Sequence, residues 1–246
     1  MPQSDRPTLL ITGGARRVGA CIAQVFHAAG YNVVVHYRSS VNAVESLLES
    51  LNQSRPGSAV SVAQDFAETT DGEPLLRKAL EAFGRVDVLV NNASSFYPTV
   101  VGEITEQDWD QLFASNAKAP LFVSQALAPE LAKQSGAIIN IVDIYSERPA
   151  PRHTTYCMAK AALAMMSKSL ARELGPKVRV NGVSPGAILW AENETSEKMK
   201  QAMLSRTALK RVGDPRDIAE TALFLAQSQY ITGQIIAVDG GRSLNI

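Results

Sequence analysis

Tyr156 and Lys160 stand four residues apart in a stretch of helical pattern, so both side chains leave the same helix face. The charge of a lysine ammonium lowers the pKa of a neighbouring phenol. A tyrosine tuned in this way is a general acid for hydride chemistry, with nicotinamide ribose hydroxyls available to relay the proton. A second chemical signal lies near the N-terminus, in Thr12-Gly13-Gly14-Ala15-Arg16-Arg17-Val18-Gly19. Glycines there let backbone N–H groups approach a pyrophosphate, and the positive end of a following helix attracts it. The signal gains weight from its place, directly after a strand and directly before a helix.

The end of the second strand sets the choice of cofactor. Sheets that select NAD place an Asp or Glu there, to bind the ribose 2′-hydroxyl. This chain instead reads His36-Tyr37-Arg38-Ser39-Ser40, with no carboxylate. Arg38 offers a planar cationic fork and the serines add hydroxyl donors, a set suited to a 2′-phosphate. Arg16 or Arg17 adds charge from the first loop, and NADPH is the cofactor expected.

These residues need a scaffold, and the hydrophobic pattern supplies one. Short β-branched runs at Thr8–Thr12, Asn32–Tyr37, Ala59–Ala63, Val86–Val90, Ala137–Val142, Val178–Val183 and Gln234–Val238 read as seven strands. Between them, amphipathic stretches at Arg17–Ala29, Val41–Gln53, Glu73–Phe83, Glu106–Ala114, Ala117–Gln134, Thr155–Leu174 and Asp214–Leu225 read as helices. Alternation with continuous apolar strands predicts an α/β fold, a doubly wound and mostly parallel sheet with helices on both faces. Ligands of such folds sit at the carboxyl ends of the strands. With 246 residues and no composition break, one Rossmann-type domain spanning 1–246 is expected.

Composition narrows the classes of function. Lysines and arginines number 24, as do aspartates and glutamates, and this balance argues against a nucleic-acid or membrane-surface partner. Cys21 and Cys157 stand far apart with no Cys/His cluster, which suits two reduced thiols and no metal site. Met1 to Pro7 is short and polar, and no apolar run is long enough for a membrane span. Cytoplasmic localisation is the expectation.

Over Thr8 to Gly241 the chain resembles the short-chain dehydrogenase/reductase family. The resemblance is carried by the Gly13–Gly19 turn, Asp65 after the third strand, Asn91-Asn92-Ala93 after the fourth, Asn116, Tyr156 with Lys160, Asn181, and Pro185-Gly186. It implies that Asp65 lies near the adenine, that Asn91 supports the cofactor, and that Asn116 holds a proton-relay water near Lys160. It also implies that Pro185-Gly186 borders the nicotinamide. Members usually assemble as tetramers through two helices, which here correspond to the Ala-rich stretches Ala117–Ala132 and Thr155–Ala171.

Three departures from the family pattern narrow the substrate. Arg17 replaces the glycine expected two before Gly19, Asp143 replaces the serine expected thirteen before Tyr156, and Asn91-Asn92-Ala93 continues as Ser94-Ser95-Phe96-Tyr97-Pro98 instead of glycine. A carboxylate repels a carbonyl oxygen that gains negative character, unless the acid is protonated. Towards a heterocycle with ring N–H and amino groups, a carboxyl offers acceptors and can deliver a proton to ring nitrogen. Phe96 can stack a flat ring and Arg17 can donate to its heteroatoms. This set looks like the pteridine reductases within the family, with Ser94 contacting the pterin or a cofactor phosphate. That resemblance implies reduction of dihydropterins, and of oxidised pterins or dihydrofolate, to the tetrahydro level. Alternatives are an NADPH-dependent 3-oxoacyl thioester or other carbonyl reductase, and a catalytically idle NADPH-binding sensor or scaffold.

The segment 187–211 corresponds to the family's substrate-covering loop. Within it Trp190 is a candidate wall of the substrate pocket, and Ser196–Arg206 reads as a lid helix that excludes water around hydride transfer. His153, close to Tyr156, reads as a loop residue.

Overall fold

A computed structural model describes residues 5–188 and 197–244. Seven strands form one sheet: β1 (Thr8–Ile11), β2 (Asn32–Tyr37), β3 (Ala59–Ala63), β4 (Val88–Asn91), β5 (Ala137–Ile141), β6 (Arg179–Pro185) and β7 (Ile235–Val238). Their order is β3-β2-β1-β4-β5-β6-β7, and every pairing is parallel. The sheet is thus wholly parallel, where the sequence predicts a mostly parallel one.

Side chains of β1 and β2 alternate between two cores, as a strand period of two requires. On one face Leu9, Ile11, Val33 and Val35 meet Ile22 and Phe26 of α1 (Arg17–Ala28), Val44 and Leu47 of α2 (Val41–Ser54), and Ile218 and Leu225 of a later helix at Pro215–Gln227. On the other, Leu10, Val34 and Leu89 meet Leu75 and Ala79 of α3 (Glu73–Phe83). The same layer takes in Val123, Leu127 and Leu131 from a helix at Ala119–Lys133. Burial on both faces explains why these strands are apolar without interruption. Each buried Leu, Ile or Phe side chain contributes roughly 1.5–3 kcal/mol relative to exposure. The strand order reverses between β1 and β4, which opens a crevice where both chain directions diverge.

The middle of the chain departs from the predicted pair of helices. Thr105 caps α4 (Glu106–Phe113) in a reciprocal box with Asp108. Instead of breaking near residue 115, the chain passes through a widened π turn at Ala114–Lys118 straight into α5 (Ala119–Lys133). Asn116 sits in that turn, fully buried, with Nδ2 donating to the Leu112 and Ser95 carbonyls, both at 2.9 Å. A π bulge accommodates one extra residue and turns a side chain inward, a device common near functional sites. The polar asparagine that reads as a helix break is therefore the centre of the bulge.

Beyond it, α6 (Thr154–Leu174), α7 (Glu197–Ser205) and α8 (Pro215–Gln227) follow, α7 in the place predicted for the lid helix. Residues 189–196, Trp190 among them, lie outside the described residues. No helix of the described residues is long and apolar enough to cross a membrane. Cys21 and Cys157 are both free thiols.

Candidate active site

A cleft of about 890 Å³ opens at the carboxyl ends of β1, β2, β4 and β5. Its wall brings together Gly13, Arg16, Arg17, Gly19, Arg38, Ser39, Ser40, Asp65, Ala93, Ser94, Phe96, Asp143, Tyr156, Lys160, Pro185 and Gly186. Residues drawn from seven segments of the sequence thus share one crevice. Among the described residues, three expected at the site do not line it. Tyr37 packs its half-buried ring against the apolar core. Asn91 is buried behind the wall, donating to Asn140 Oδ1 at 2.8 Å and to Ser124 Oγ at 3.1 Å. Asn116 lies in the bulge already described, and its Oδ1 is buried without a partner among the described residues.

At one end of the cleft the Gly-rich turn is held from two sides. Asn92 Nδ2 donates to the Thr12 and Gly13 carbonyls, and Thr12 Oγ1 accepts the backbone N–H groups of Asn92 and Ala93. From β2, His36 accepts the Gly13 N–H on Nδ1 at 3.1 Å and the Gly14 N–H on its carbonyl at 3.0 Å. Gly13 has φ of 61°, and a Cβ there would meet Ala93 Cα at 2.8 Å. A Cβ on Gly19 would collide with the Gly13 carbonyl and approach Asn92 Nδ2 to 2.6 Å. The turn is therefore built for close backbone approach, at the N-terminus of the 12-residue α1, whose first turn carries no acid. Arg16, Arg17 and Arg38 stand exposed around it with Ser39. Glycine cradle, helix terminus and cations together suit a dinucleotide bearing an additional phosphate.

Arg17 holds a left-handed backbone, with φ of 53°. This conformation costs an L-residue roughly 1–2 kcal/mol and is glycine's ordinary territory. Such strain gathers at functional sites.

At the other end, Asp143 begins the short 3₁₀ turn Ile144–Ser146. Its Oδ1 accepts the Tyr145 N–H at 2.9 Å, which frees Oδ2 to accept the Tyr156 hydroxyl at 2.8 Å. Lys160 is buried one helical turn on, with Nζ donating to the Ile141 carbonyl at 2.9 Å and lying 5.8 Å from the centre of the Tyr156 ring. Burial pushes the Asp143 carboxyl above its ordinary range, opposed by its hydrogen bonds from Tyr145 and Tyr156 and by the charges of Lys160 and Arg242. Burial also brings the Lys160 ammonium down to about 8, against the pull of Asp143.

The expected depression of Tyr156 by Lys160 is not what the structure gives. Burial and the Asp143 carboxyl beside it hold the phenol well above its ordinary value. Lysine charge is spent over the ring and on a backbone carbonyl, while the hydroxyl faces a carboxyl. Tyr156 therefore keeps its proton and shares it with Asp143 across their hydrogen bond.

Phe96 forms the far wall. Its ring is 55% exposed, lies edge-on to Tyr156 at 4.8 Å, and stacks parallel to His153 at 4.5 Å and 7°. His153, expected as a plain loop residue, is thus part of the aromatic platform, its Nδ1–H donating to the Pro151 carbonyl at 2.7 Å. Sequence reasoning also passed over His36, Asn92 and Arg242, which packs against the Tyr145 hydroxyl at 3.4 Å. Asn92 stands within the run Asn91-Asn92-Ala93 and His36 within the strand end, so both were adjacent to recognised signals. Nothing local marks Arg242, which reaches Tyr145 across 97 residues.

Fold and site together define a Rossmann-type oxidoreductase. A family profile described as Enoyl-(Acyl carrier protein) reductase matches residues 13–243. Pteridine reductase 1 of Leishmania tarentolae is 36% identical over 279 residues, covering 97% of this chain and 96% of that protein. The 3-oxoacyl-(acyl-carrier-protein) reductase FabG of Staphylococcus epidermidis is 35% identical over 237 residues, covering 94% and 97%. An uncharacterized oxidoreductase of Methylorubrum extorquens is 33% identical over 248 residues, covering 98% and 99%. The chain belongs to the short-chain dehydrogenase/reductase family.

Proposed function

We propose that this oxidoreductase is an NADPH-dependent pteridine reductase that takes dihydropterins, and by extension oxidised pterins and dihydrofolate, to the tetrahydro form. The observation that carries the reading is the Asp143–Tyr156 hydrogen bond of 2.8 Å beside the exposed face of Phe96. A buried, desolvated carboxyl is an unsuitable neighbour for a carbonyl oxygen that becomes an oxyanion. It suits a planar ring that offers N–H and amino donors and takes up a proton on nitrogen.

Bound NADPH would supply a hydride to the carbon of the dihydropterin C=N bond. Arg38, Ser39 and Ser40 would hold the 2′-phosphate, and Gly13, Arg16, Gly19 and the start of α1 the pyrophosphate. Lys160 would position the nicotinamide ribose, flanked by Pro185-Gly186. Phe96 and Arg17 would orient the pterin, with Ser94 between pterin and phosphate. Tyr156 gives its hydroxyl proton to the ring nitrogen, and a proton taken up from solvent reaches the phenolate oxygen by way of Asp143. The substrate then gains one hydride and one proton, and the Asp143–Tyr156 unit recovers its proton from solvent.

The domain reading 1–246 and a tetramer built through α5 and α6 belong to the same proposal. Exposed Leu121 and Phe122 on α5, and Met158 and Met165 on α6, supply apolar surface for such contacts. A second reading, 3-oxoacyl thioester reduction, is favoured by the near-equal identity to the staphylococcal protein.

One assay separates them. NADPH oxidation is followed with dihydrobiopterin, dihydromonapterin, dihydrofolate and an acetoacetyl thioester in parallel. Turnover of the dihydropterins with an inert thioester is the expected result. Turnover of the thioester alone overturns the pterin reading and leaves the family standing.

A further inference from the structure

His36 takes no part in the chemistry above, yet both its ring nitrogens are bonded and its ring is stacked. It is the penultimate residue of β2, is 2% exposed, and lines the cleft beside Arg38 and Gln64. Its Nδ1 faces the Gly13 N–H at 3.1 Å and its Nε2 faces the Gln64 carbonyl at 2.9 Å. A backbone N–H only donates and a carbonyl only accepts, so the two contacts admit a single state, neutral with the proton on Nε2. The ring is clamped against Phe66, 4.4 Å away and inclined by 24°. Burial pushes its pKa down to about 4, which keeps it neutral at working pH.

We propose that His36 is a positioning residue for the dinucleotide, its Nδ1 lone pair fixing the Gly13 amide so that the turn presents its remaining N–H groups and the α1 terminus to the pyrophosphate. This rests on the NADPH reading. Gly13 needs such a tether because glycine, lacking a Cβ, adopts positive and negative φ about equally readily, and the turn requires the positive one. Asn92 fixes only the carbonyl side of Thr12 and Gly13, and Thr12 Oγ1 holds Asn92 and Ala93 in turn. Among the described residues the Gly13 N–H is set from β2 alone. The same imidazole joins the ends of β1, β2 and β3, so the phosphate turn and the strand end that carries Arg38 move as one piece.

Two isosteric substitutions divide the role. The amide oxygen of Asn overlays the Nδ1 of a histidine, whereas the amide nitrogen of Gln overlays Nε2. His36→Asn keeps the acceptor for Gly13 and loses the donor to Gln64. His36→Gln does the reverse, and both lose the stack on Phe66. Titration of each purified full-length protein with NADPH, followed by dihydronicotinamide fluorescence, reads binding without turnover.

The expected result is dissociation about tenfold weaker for His36→Gln and changed less than about threefold for His36→Asn, with similar falls in Tm. Equal affinities in the two variants, or affinity that merely follows Tm, overturn the inference while wild-type binding preserves the NADPH reading. Wild-type protein that binds no NADPH overturns both. Should His36→Gln fail to fold, ¹⁵N NMR of wild-type His36 decides. The Nε2–H tautomer held from pH 5 to 8 is required, and an imidazolium or an Nδ1–H tautomer in that range overturns the inference.

Discussion

The two ends of the cleft are built on different principles. At the cofactor end, β1, β2 and β4 bring backbone groups and small residues together over short stretches of chain, and the decisive contacts are N–H and C=O groups held by His36, Asn92 and Thr12. At the substrate end, side chains from Phe96, Asp143, His153, Tyr156 and the distant Arg242 converge, and the decisive quantity is desolvation of a carboxyl and a phenol. One end suits a shape common to many ligands; the other raises the titration of two buried groups. Substitutions at the first should act on cofactor affinity, and substitutions at the second on turnover.

The largest effect belongs to Tyr156→Phe, which deletes the hydroxyl that meets Asp143 and leaves the ring against Phe96. Loss of a general acid costs about 10²–10⁴ in rate, while NADPH affinity should stay within about threefold. Steady-state turnover beside fluorescence titration checks both. Equal losses in the two measurements would erase the division between the ends.

Asp143→Ser comes next and brings a pH test with it. Because burial raises the Asp143 carboxyl, it keeps its proton to higher pH than an ordinary carboxylate. As pH rises through that raised value the carboxyl loses its proton, and the Asp143–Tyr156 unit can no longer replace the one given to substrate. Turnover with dihydropterin should therefore be fully present on the acid side and fall towards alkaline pH. Loss of the Lys160 charge above about 8 opposes this fall, since its ammonium lowers the Asp143 carboxyl while present. Asp143→Ser should lower dihydropterin turnover about 100-fold and abolish the carboxyl-linked fall. A flat wild-type profile, or a serine variant that keeps its rate, would remove Asp143 from the proton path.

Arg38→Ala tests the other end with a smaller effect. One exposed charge-assisted contact to a 2′-phosphate is worth about tenfold in affinity, so NADPH should weaken by that factor while NADH is unaffected and turnover at saturation persists. A parallel loss for both dinucleotides would show that Arg38 shapes the loop instead of reading the phosphate.

The cofactor end was also the more legible in sequence. Its parts follow one another along the chain: strand, Gly13 to Gly19, helix, then the strand end at Arg38. Parallel strands buried on both faces produce apolar runs that periodicity detects, and all seven lie where the pattern puts them, shifted by a few residues at their ends. The substrate end was legible in its members and not in its electrostatics. Spacing alone places Tyr156 and Lys160 on one face, and from that the lysine was expected to lower the phenol. Burial and the carboxyl thirteen residues earlier, which spacing does not weigh, reverse the sign. The π turn around Asn116 escaped for a related reason, since a polar residue inside a helical pattern looks like a break until the Ser95 and Leu112 carbonyls that it satisfies are known. His153 needed a ring partner 57 positions away, and Arg242 one 97 positions away.

The smallest expected effect falls where the two ends meet. Arg17 belongs to the phosphate turn by its backbone and to the substrate by its proposed contact, and its φ of 53° is a glycine's conformation. Replacing it with glycine removes the left-handed cost of an L-residue, partly offset by the greater freedom glycine gives the unfolded chain. Arg17→Gly should therefore leave stability unchanged or raise it by about 1 kcal/mol or less, read from the denaturation midpoint. The same variant should raise the dihydropterin KM several-fold, since it removes the cation proposed to orient the pterin. A destabilised Arg17→Gly protein with unchanged KM would make Arg17 a structural residue of the turn, and the boundary between the two ends would then run on the substrate side of it.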